Sequence, residues 1–89
     1  MDQTTTISIE QRIQKFVVEK FPLTRKAKVE SDTALIEKGF LDSLGILDVV
    51  SFLESEFSIT IHDEELVPEN FQNLASLSAF VQNKQAKDA

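Results

Sequence analysis

Ser43 is the residue whose type and position most strongly suggest chemistry. It lies in "GFLDSLG", residues 39–45, between Asp42 and Leu44, where a helix is predicted to begin. A hydroxyl at a helix start lies near free backbone N–H groups and the positive end of the helix dipole, where a phosphate is electrostatically tolerated. Serine is also a common structural residue in a first helical turn, so its neighbours decide between the two interpretations.

Those neighbours predict a surface on the same helix that contacts other proteins. An α-helix turns by about 100° per residue, and this rotation places several apolar residues within one broad arc, which is the predicted core face. These residues are Ile46, Val49, Val50, Leu53 and Phe57. The opposite face carries Leu44, Leu47, Asp48, Ser51 and Ser55, and Phe52 is expected to pack at the flank against a neighbouring helix. Exposed leucines flanked by the acids Asp48 and Glu54 are more typical of an interaction patch than of a solvated face.

Other chemistries are weakly supported. A serine hydrolase requires Ser43 to meet His62 and a carboxylate such as Asp63 or Asp48, but the sequence has no GxSxG motif. Adjacent acids in a helix point in different directions, so "DEE" at residues 63–65 favours a helix start over a metal site. The chain has no cysteine, which excludes disulfides and thiolate metal ligands. We therefore expect no catalytic residue and no metal ligand.

Length and charge limit the classes of function. The chain has 89 residues and a net charge of −6, and no lysine or arginine occurs between Gly39 and Asn83. These features predict one domain over residues 1–89, and they argue against nucleic acid, whose phosphates are bound by basic side chains. A protein partner with a basic surface is favoured, although the acids also serve solubility. No signal peptide or membrane-spanning stretch is recognisable, so we expect a cytoplasmic monomer without membrane insertion.

Hydrophobic periodicity predicts a small all-α bundle of three main helices plus one short helix, with a long first loop. "SIEQRIQKFVVEKF" has the capping-box spacing at Ser8 and Gln11, and Pro22 ends it. A connection over residues 22–42 carries Gly39 as a left-handed stop before Asp42, the expected N-cap of the second helix. "SITIH" is interpreted as an extended linker, "DEELV" as a short helix, and "NLASLSAFVQNK" as the last helix, capped by Asn73. The folded part is predicted to span residues 6–84, with flexible tails at 1–5 and 86–89.

With these elements in order, the sequence resembles the acyl carrier protein family, which includes peptidyl and D-alanyl carrier proteins. The resemblance covers roughly residues 8–84 and rests on "GFLDSLG", the apolar helix after it, the acidic short helix and "NFQNLASLSAFV". It implies that Ser43 receives 4′-phosphopantetheine from coenzyme A through a separate phosphopantetheinyl transferase. It also implies that Asp42 helps this transferase and its magnesium ion to engage Ser43. The modified chain is then a phosphoprotein that holds cargo as a thioester, and not an enzyme.

The resemblance also assigns roles on the second helix. It implies that Leu44, Leu47 and Ser51 contact partner enzymes that load and use the cargo, while Asp48 and Glu54 pair with basic residues of these enzymes.

One departure from the family pattern concerns Gly45. Carriers of primary fatty-acid synthesis typically have an acid at this position, so the pattern is closer to free-standing carriers of specialised pathways, including aminoacyl and D-alanyl carriers. The pathway stays open between fatty acid, polyketide and nonribosomal peptide biosynthesis. A glycine in a helix costs up to about 1 kcal/mol relative to alanine. We expect Gly45 to permit close approach by a partner or by the pantetheine arm, and Gly45→Ala to stabilise the fold.

A small acidic helical adaptor that binds proteins without a cofactor is the alternative interpretation. It explains the exposed leucines and the acids, but not the serine beside them. The cargo stays open between fatty acyl, polyketide, amino acid and D-alanine.

Overall fold

The fold is described by a computed structural model for residues 8–22, 24 and 27–88. Three α-helices, α1 (Ile9–Lys20), α2 (Ser43–Phe57) and α3 (Leu74–Asp88), form the bundle, and no strand occurs in these residues. This confirms the predicted all-α fold. The short helix predicted in "DEELV" is a single 3-10 turn, Asp63–Glu65, and a second 3-10 helix that was not predicted, Pro68–Asn70, follows it. Pro68 explains the break, because a residue that precedes proline is disfavoured in the helical region, and Val67 is extended at φ −115° and ψ 149°.

Each helix begins at the predicted cap. The Ser8 hydroxyl accepts a hydrogen bond from the Gln11 N–H at 3.1 Å, and the Gln11 side chain accepts one from the Ser8 N–H at 3.0 Å. Asp42 caps α2, and the Asn73 side chain accepts a hydrogen bond of 2.7 Å from the N–H of Ser76 in α3. These bonds satisfy N–H groups that have no partner within the helix, which is why the boundaries follow the sequence signals.

The core lies between the apolar faces of the three helices, with α1 and α3 in the most extensive contact. Its buried members are Ile13, Val17, Val29, Leu35, Leu41, Val49, Leu53, Phe57, Ile59, Phe71, Leu74, Leu77 and Val81. Two leucines of α2 do not join them: Leu44 is 73% exposed and Leu47 is 53% exposed. Burial of the other side chains provides the main driving force for folding, to which these two exposed leucines contribute little.

The connection between α1 and α2 is firmly held. Val29, Leu35 and Leu41 are buried, and the Leu35 N–H donates to the Gln72 carbonyl at 2.9 Å. Gly39 adopts φ +79°, as its predicted role as a left-handed stop requires. The described part of this loop therefore fixes the residues that precede α2.

Aromatic side chains join α1 to α2. The rings of Phe16 and Phe52 stack with centroids 4.1 Å apart and planes 10° apart. This confirms the predicted packing of Phe52 against a neighbouring helix. Beside them, the Arg12 guanidinium contacts Glu56 and lies 4.9 Å from the centroid of the Phe57 ring.

Of the two tails predicted to be flexible, the structure describes residues of the C-terminal one only. The predicted tail at residues 1–5 lies outside the described residues. At the other end, α3 continues to Asp88, beyond the predicted end of the folded part at residue 84. None of the helices among the described residues is long and apolar enough to cross a membrane.

Candidate cofactor-attachment site and partner-binding surface

Ser43 is the first residue of α2 and its side chain is exposed. Among the described residues, its hydroxyl has no hydrogen-bond partner. The backbone N–H groups of Ser43 and Leu44 precede the first intrahelical bond, which the Ile46 N–H makes to the Asp42 carbonyl at 2.8 Å. A phosphate ester on Ser43 fits this position, because it is open to a second protein and lies at the positive end of the helix dipole.

Asp42 immediately precedes the serine and is also exposed. Its Oδ1 atom accepts a hydrogen bond of 2.8 Å from the Gly45 N–H, so one carboxylate oxygen holds the first turn of α2. No other acidic residue lies in this turn. Asp42 is therefore the only carboxylate that α2 and its cap place directly beside the Ser43 hydroxyl.

The predicted partner-binding residues lie on the outer side of α2. Leu44, Leu47, Asp48 and Ser51 are exposed, whereas the buried stripe of the helix consists of Gly45, Val49, Leu53 and Phe57. No basic residue occurs in the last turn of α2. The arrangement is an apolar, acid-flanked surface that begins at the serine, the type of surface that binds a partner with apolar and basic groups.

Glu54 differs from the other predicted contact residues. Its side chain is half-buried, and its Oε2 atom accepts a hydrogen bond of 2.8 Å from the Ile61 N–H. The carboxylate thus holds the extended segment that follows α2 against the helix. Its role toward a partner stays a prediction, and the structure gives it a role within the fold as well.

The expectation that Gly45 permits close approach by a partner or by the pantetheine arm is wrong. Gly45 is buried and faces the protein interior, so a partner or the pantetheine arm does not approach it. A Cβ atom at this position would lie 3.1 Å from Cε1 of Phe21, 3.3 Å from Oδ1 of the capping Asp42 and 3.5 Å from Cδ2 of Leu41. The close neighbour is therefore the Phe21 ring at the end of α1. The sequence did contain a signal for this, because Gly45 precedes Val49 by four residues and extends the buried stripe by one turn.

The rival chemistries gain no support from the described residues. No group of three histidine, cysteine, aspartate or glutamate side chains among residues 8–22, 24 and 27–88 is placed to hold a metal ion. In the "DEE" segment, Glu65 contacts Lys84, with Nζ 3.0 Å from Oε1. The backbone N–H of His62, followed by Lys84, lowers the pKa of Glu65, and partial burial opposes this shift. Glu65 and Lys84 thus join the first 3-10 helix to α3.

Comparisons with known proteins place the chain among carrier proteins. It is 35% identical over 80 residues to an acyl carrier protein of Buchnera aphidicola subsp. Acyrthosiphon pisum (strain 5A), covering 90% of this chain and 96% of the relative. It is 32% identical over 78 residues to the probable acyl carrier protein PigG of Serratia sp. (strain ATCC 39006), covering 88% of this chain and 90% of that protein. No family model matches the sequence.

A solved structure has a fold similar to that of this chain. A chain in the crystal structure of an FAD-dependent dehydrogenase superposes with a TM-score of 0.70 and 26% identity, covering 78% of this chain and 97% of that chain. The fold, the position of the serine and the curated relatives together define the class: this chain belongs to the acyl carrier protein family. Its general role is that of a carrier.

Proposed function

We propose that this protein is a free-standing, single-domain carrier that bears 4′-phosphopantetheine on Ser43 and shuttles thioester-bound acyl or aminoacyl groups between partner enzymes. The observation that carries the proposal is the exposed Ser43 hydroxyl, without a hydrogen-bond partner in the described part of the chain, at the N-terminus of α2. A specialised pathway is favoured, because Gly45 occupies the position where carriers of primary fatty-acid synthesis typically have an acid.

In this proposal the chain presents the hydroxyl and the transferase supplies the catalysis. The Ser43 Oγ atom forms a bond to the phosphorus that carries the pantetheine moiety of coenzyme A, and 3′,5′-adenosine bisphosphate leaves. The hydroxyl proton goes to a base of the transferase, since His62 lies after α2 and not beside the serine in the sequence. The attached group supplies a thiol that holds cargo as a thioester.

The partner enzymes are proposed to dock on the outer side of α2. Leu44, Leu47 and Ser51 contact the partner directly, and all three are exposed. The exposed Asp48 pairs with a lysine or arginine of the partner. Glu54 contributes less than Asp48, because its carboxylate also holds the Ile61 N–H. Rim charges of this kind act mainly on the rate of association and weaken as salt is added.

The experiment that tests the proposal is the intact mass of the protein after incubation with coenzyme A, magnesium and a promiscuous phosphopantetheinyl transferase. The wild-type protein should gain the mass of one phosphopantetheine group, and Ser43→Ala should gain none. Ser55→Ala is the matched control, because Ser55 is an exposed serine near the other end of α2. A folded wild-type protein that remains unmodified would favour the adaptor function, in which the exposed leucines bind a protein and no cofactor is carried.

A flavin enzyme is the candidate downstream partner, since the solved relative belongs to the crystal structure of an FAD-dependent dehydrogenase. Such an enzyme would remove two hydrogens from neighbouring carbons of the carried group and reduce FAD to FADH₂. Loaded protein should then lose about 2 Da, the mass of these two hydrogens, when it is incubated with a dehydrogenase of that class. Unchanged mass with an enzyme that is active on its own carrier would exclude this class of partner.

A further inference from the structure

A groove on the loop side of the molecule lies outside the surface of α2. We call it the loop groove. It has a volume of about 210 Å³ and is lined by Ala34, Ile36, Glu37, Pro68, Glu69 and Gln72. Its two walls are the segment 34–37 and the second 3-10 helix with the residues after it. The hydrogen bond from the Leu35 N–H to the Gln72 carbonyl, 2.9 Å long, joins the walls, so the groove is built by the fold and not by loose side chains.

The lining of the loop groove combines an apolar floor with an acidic rim. Ala34 and Ile36 are half-buried and supply apolar surface together with Pro68. Glu37 and Glu69 are exposed, and neither forms an ion pair within the described part of the chain. No lysine or arginine lines the groove. Such a lining is complementary to a small group that has an apolar part and a positive charge.

The loop groove is within reach of Ser43 along the chain. Ser43 lies six positions after Glu37, so their Cα atoms are at most about 20–22 Å apart even if the segment were fully extended. The segment is shorter than this limit, because it turns back on itself: the Gly39 N–H donates to the Ile36 carbonyl, and the Phe40 N–H to the Leu35 carbonyl. A pantetheine arm of about fourteen bonds, each of ordinary length, extends to roughly 18 Å.

We propose that the loop groove receives the cargo of the protein's own arm, and that this cargo is a short aminoacyl group whose ammonium is held by Glu37 and Glu69. The inference rests on the proposed function and names its cargo class. Pockets that enclose drug-sized molecules begin at about 300 Å³, so a groove of about 210 Å³ fits a small amino acid and not a long acyl chain. The acidic rim distinguishes an aminoacyl group from a neutral acyl group of equal size.

Two matched cargoes test this inference. Alanyl and isobutyryl groups have nearly the same shape, but alanyl has an ammonium where isobutyryl has a methyl group. Each is attached to coenzyme A through a stable amide in place of the thioester and is transferred to Ser43 by a promiscuous transferase. Backbone ¹H–¹⁵N spectra of the two loaded proteins are then compared with that of the protein bearing the bare arm. We expect alanyl, but not isobutyryl, to shift the signals of Ile36, Glu69 and Gln72.

Charge-neutral variants identify the groups that hold the ammonium. Glu37→Gln together with Glu69→Gln should reduce the alanyl-dependent shifts by about two- to fivefold, as expected for exposed ion pairs, and added salt should act in the same direction. Glu64→Gln is the matched control, since it removes an exposed acid that lies outside both the loop groove and the proposed docking surface, and it should leave these shifts unchanged. In a second measurement, the amine pKa of labelled alanyl should be higher on the wild-type protein than on the double variant.

The outcomes separate this inference from the proposed function. If Ser43 accepts both cargoes but alanyl and isobutyryl shift the groove signals equally, or neither does, the carrier function stands and the aminoacyl inference is overturned. The aminoacyl inference is likewise overturned if the double variant retains the full alanyl-dependent shifts and the same amine pKa. If Ser43 accepts neither cargo, the proposed function itself fails.

Discussion

The Asp42 carboxylate accepts a hydrogen bond of 2.8 Å from the Gly45 N–H, and the exposed hydroxyl of Ser43 lies between these two residues in the sequence. One side chain thus caps α2 and places a negative charge beside the proposed attachment site. Since Asp42 stays exposed, a second protein can use its charge while the cap remains formed.

Two substitutions of Asp42 separate the cap from the charge. Asp42→Ala should lower the free energy of unfolding by about 1 kcal/mol, whereas Asp42→Asn should change it by only a few tenths, because asparagine caps helices as well as aspartate does. If the transferase uses the charge, Asp42→Asn is modified more slowly than the wild-type protein although it is equally stable. Urea unfolding and the initial rate of mass gain measure the two effects. If the Asp42→Asn protein is stable and is modified at the same rate as the wild-type protein, Asp42 acts only as a helix cap.

The exposed leucines should matter for partners and not for the fold. Leu44→Ala and Leu47→Ala should each change the free energy of unfolding by less than about 0.5 kcal/mol, as is usual at exposed positions. The buried Leu53 is the matched control, and Leu53→Ala should cost about 2–5 kcal/mol. In transferase kinetics, we expect both surface variants to raise KM. Unchanged kinetics in both variants would remove these leucines from the docking surface.

Much of this fold was predictable because its signals are local. The caps at Ser8, Asp42 and Asn73 are short-range hydrogen bonds between a side chain and a nearby N–H, and the structure contains all three. The exposure of Leu44 and Leu47 followed from the helical period in the same way.

The features that the sequence analysis missed depend on contacts between distant segments. The Phe21 ring meets Gly45 only after α1 and α2 are packed, and Glu54 reaches Ile61 only after the chain has turned at Ser58, which has a left-handed φ of 54°. The burial of Lys84, 7% exposed, likewise depends on Glu65, which lies 19 residues earlier in the chain. Periodicity within one helix contains no information about such partners.

A double-mutant cycle tests the contact between Gly45 and Phe21. Gly45→Ala alone should destabilise the protein by about 0.5–2 kcal/mol, since crowding against the ring outweighs the gain of up to about 1 kcal/mol in helix propensity. In a Phe21→Ala background the same substitution should stabilise, because the ring is gone. Chemical unfolding of the four proteins measures a coupling of about 1 kcal/mol or more. Equal effects of Gly45→Ala in both backgrounds would contradict the packing described.

The pair formed by Glu65 and Lys84 should make stability depend on pH in the acidic range. The pKa of Glu65 is lowered in the folded protein, so the folded state keeps this carboxylate ionised to lower pH than the unfolded chain does. The contribution of the ionised Glu65 to the stability of the fold is complete at neutral pH. It is lost as the pH falls below about 4.3, the ordinary pKa of a glutamate, and then through the lowered pKa of Glu65 in the folded protein.

Glu65→Gln should therefore be less stable than the wild-type protein at pH 7, and the difference should shrink between about pH 5 and pH 3. Lys84→Met should remove only part of this pH dependence, because the His62 N–H still donates to Oε1 of Glu65. Unfolding curves at several pH values check both statements. A stability difference for Glu65→Gln that is constant with pH would contradict them.

The most direct measurement is to locate the added mass within the modified chain. A protease that cleaves before aspartate releases residues 42–47, "DSLGIL", between the cleavage sites at Asp42 and Asp48, and this peptide contains a single serine, Ser43. We predict that one phosphopantetheine group lies on this peptide and that none lies elsewhere. Added mass on any other peptide, or a folded protein that accepts no group at all, would contradict it.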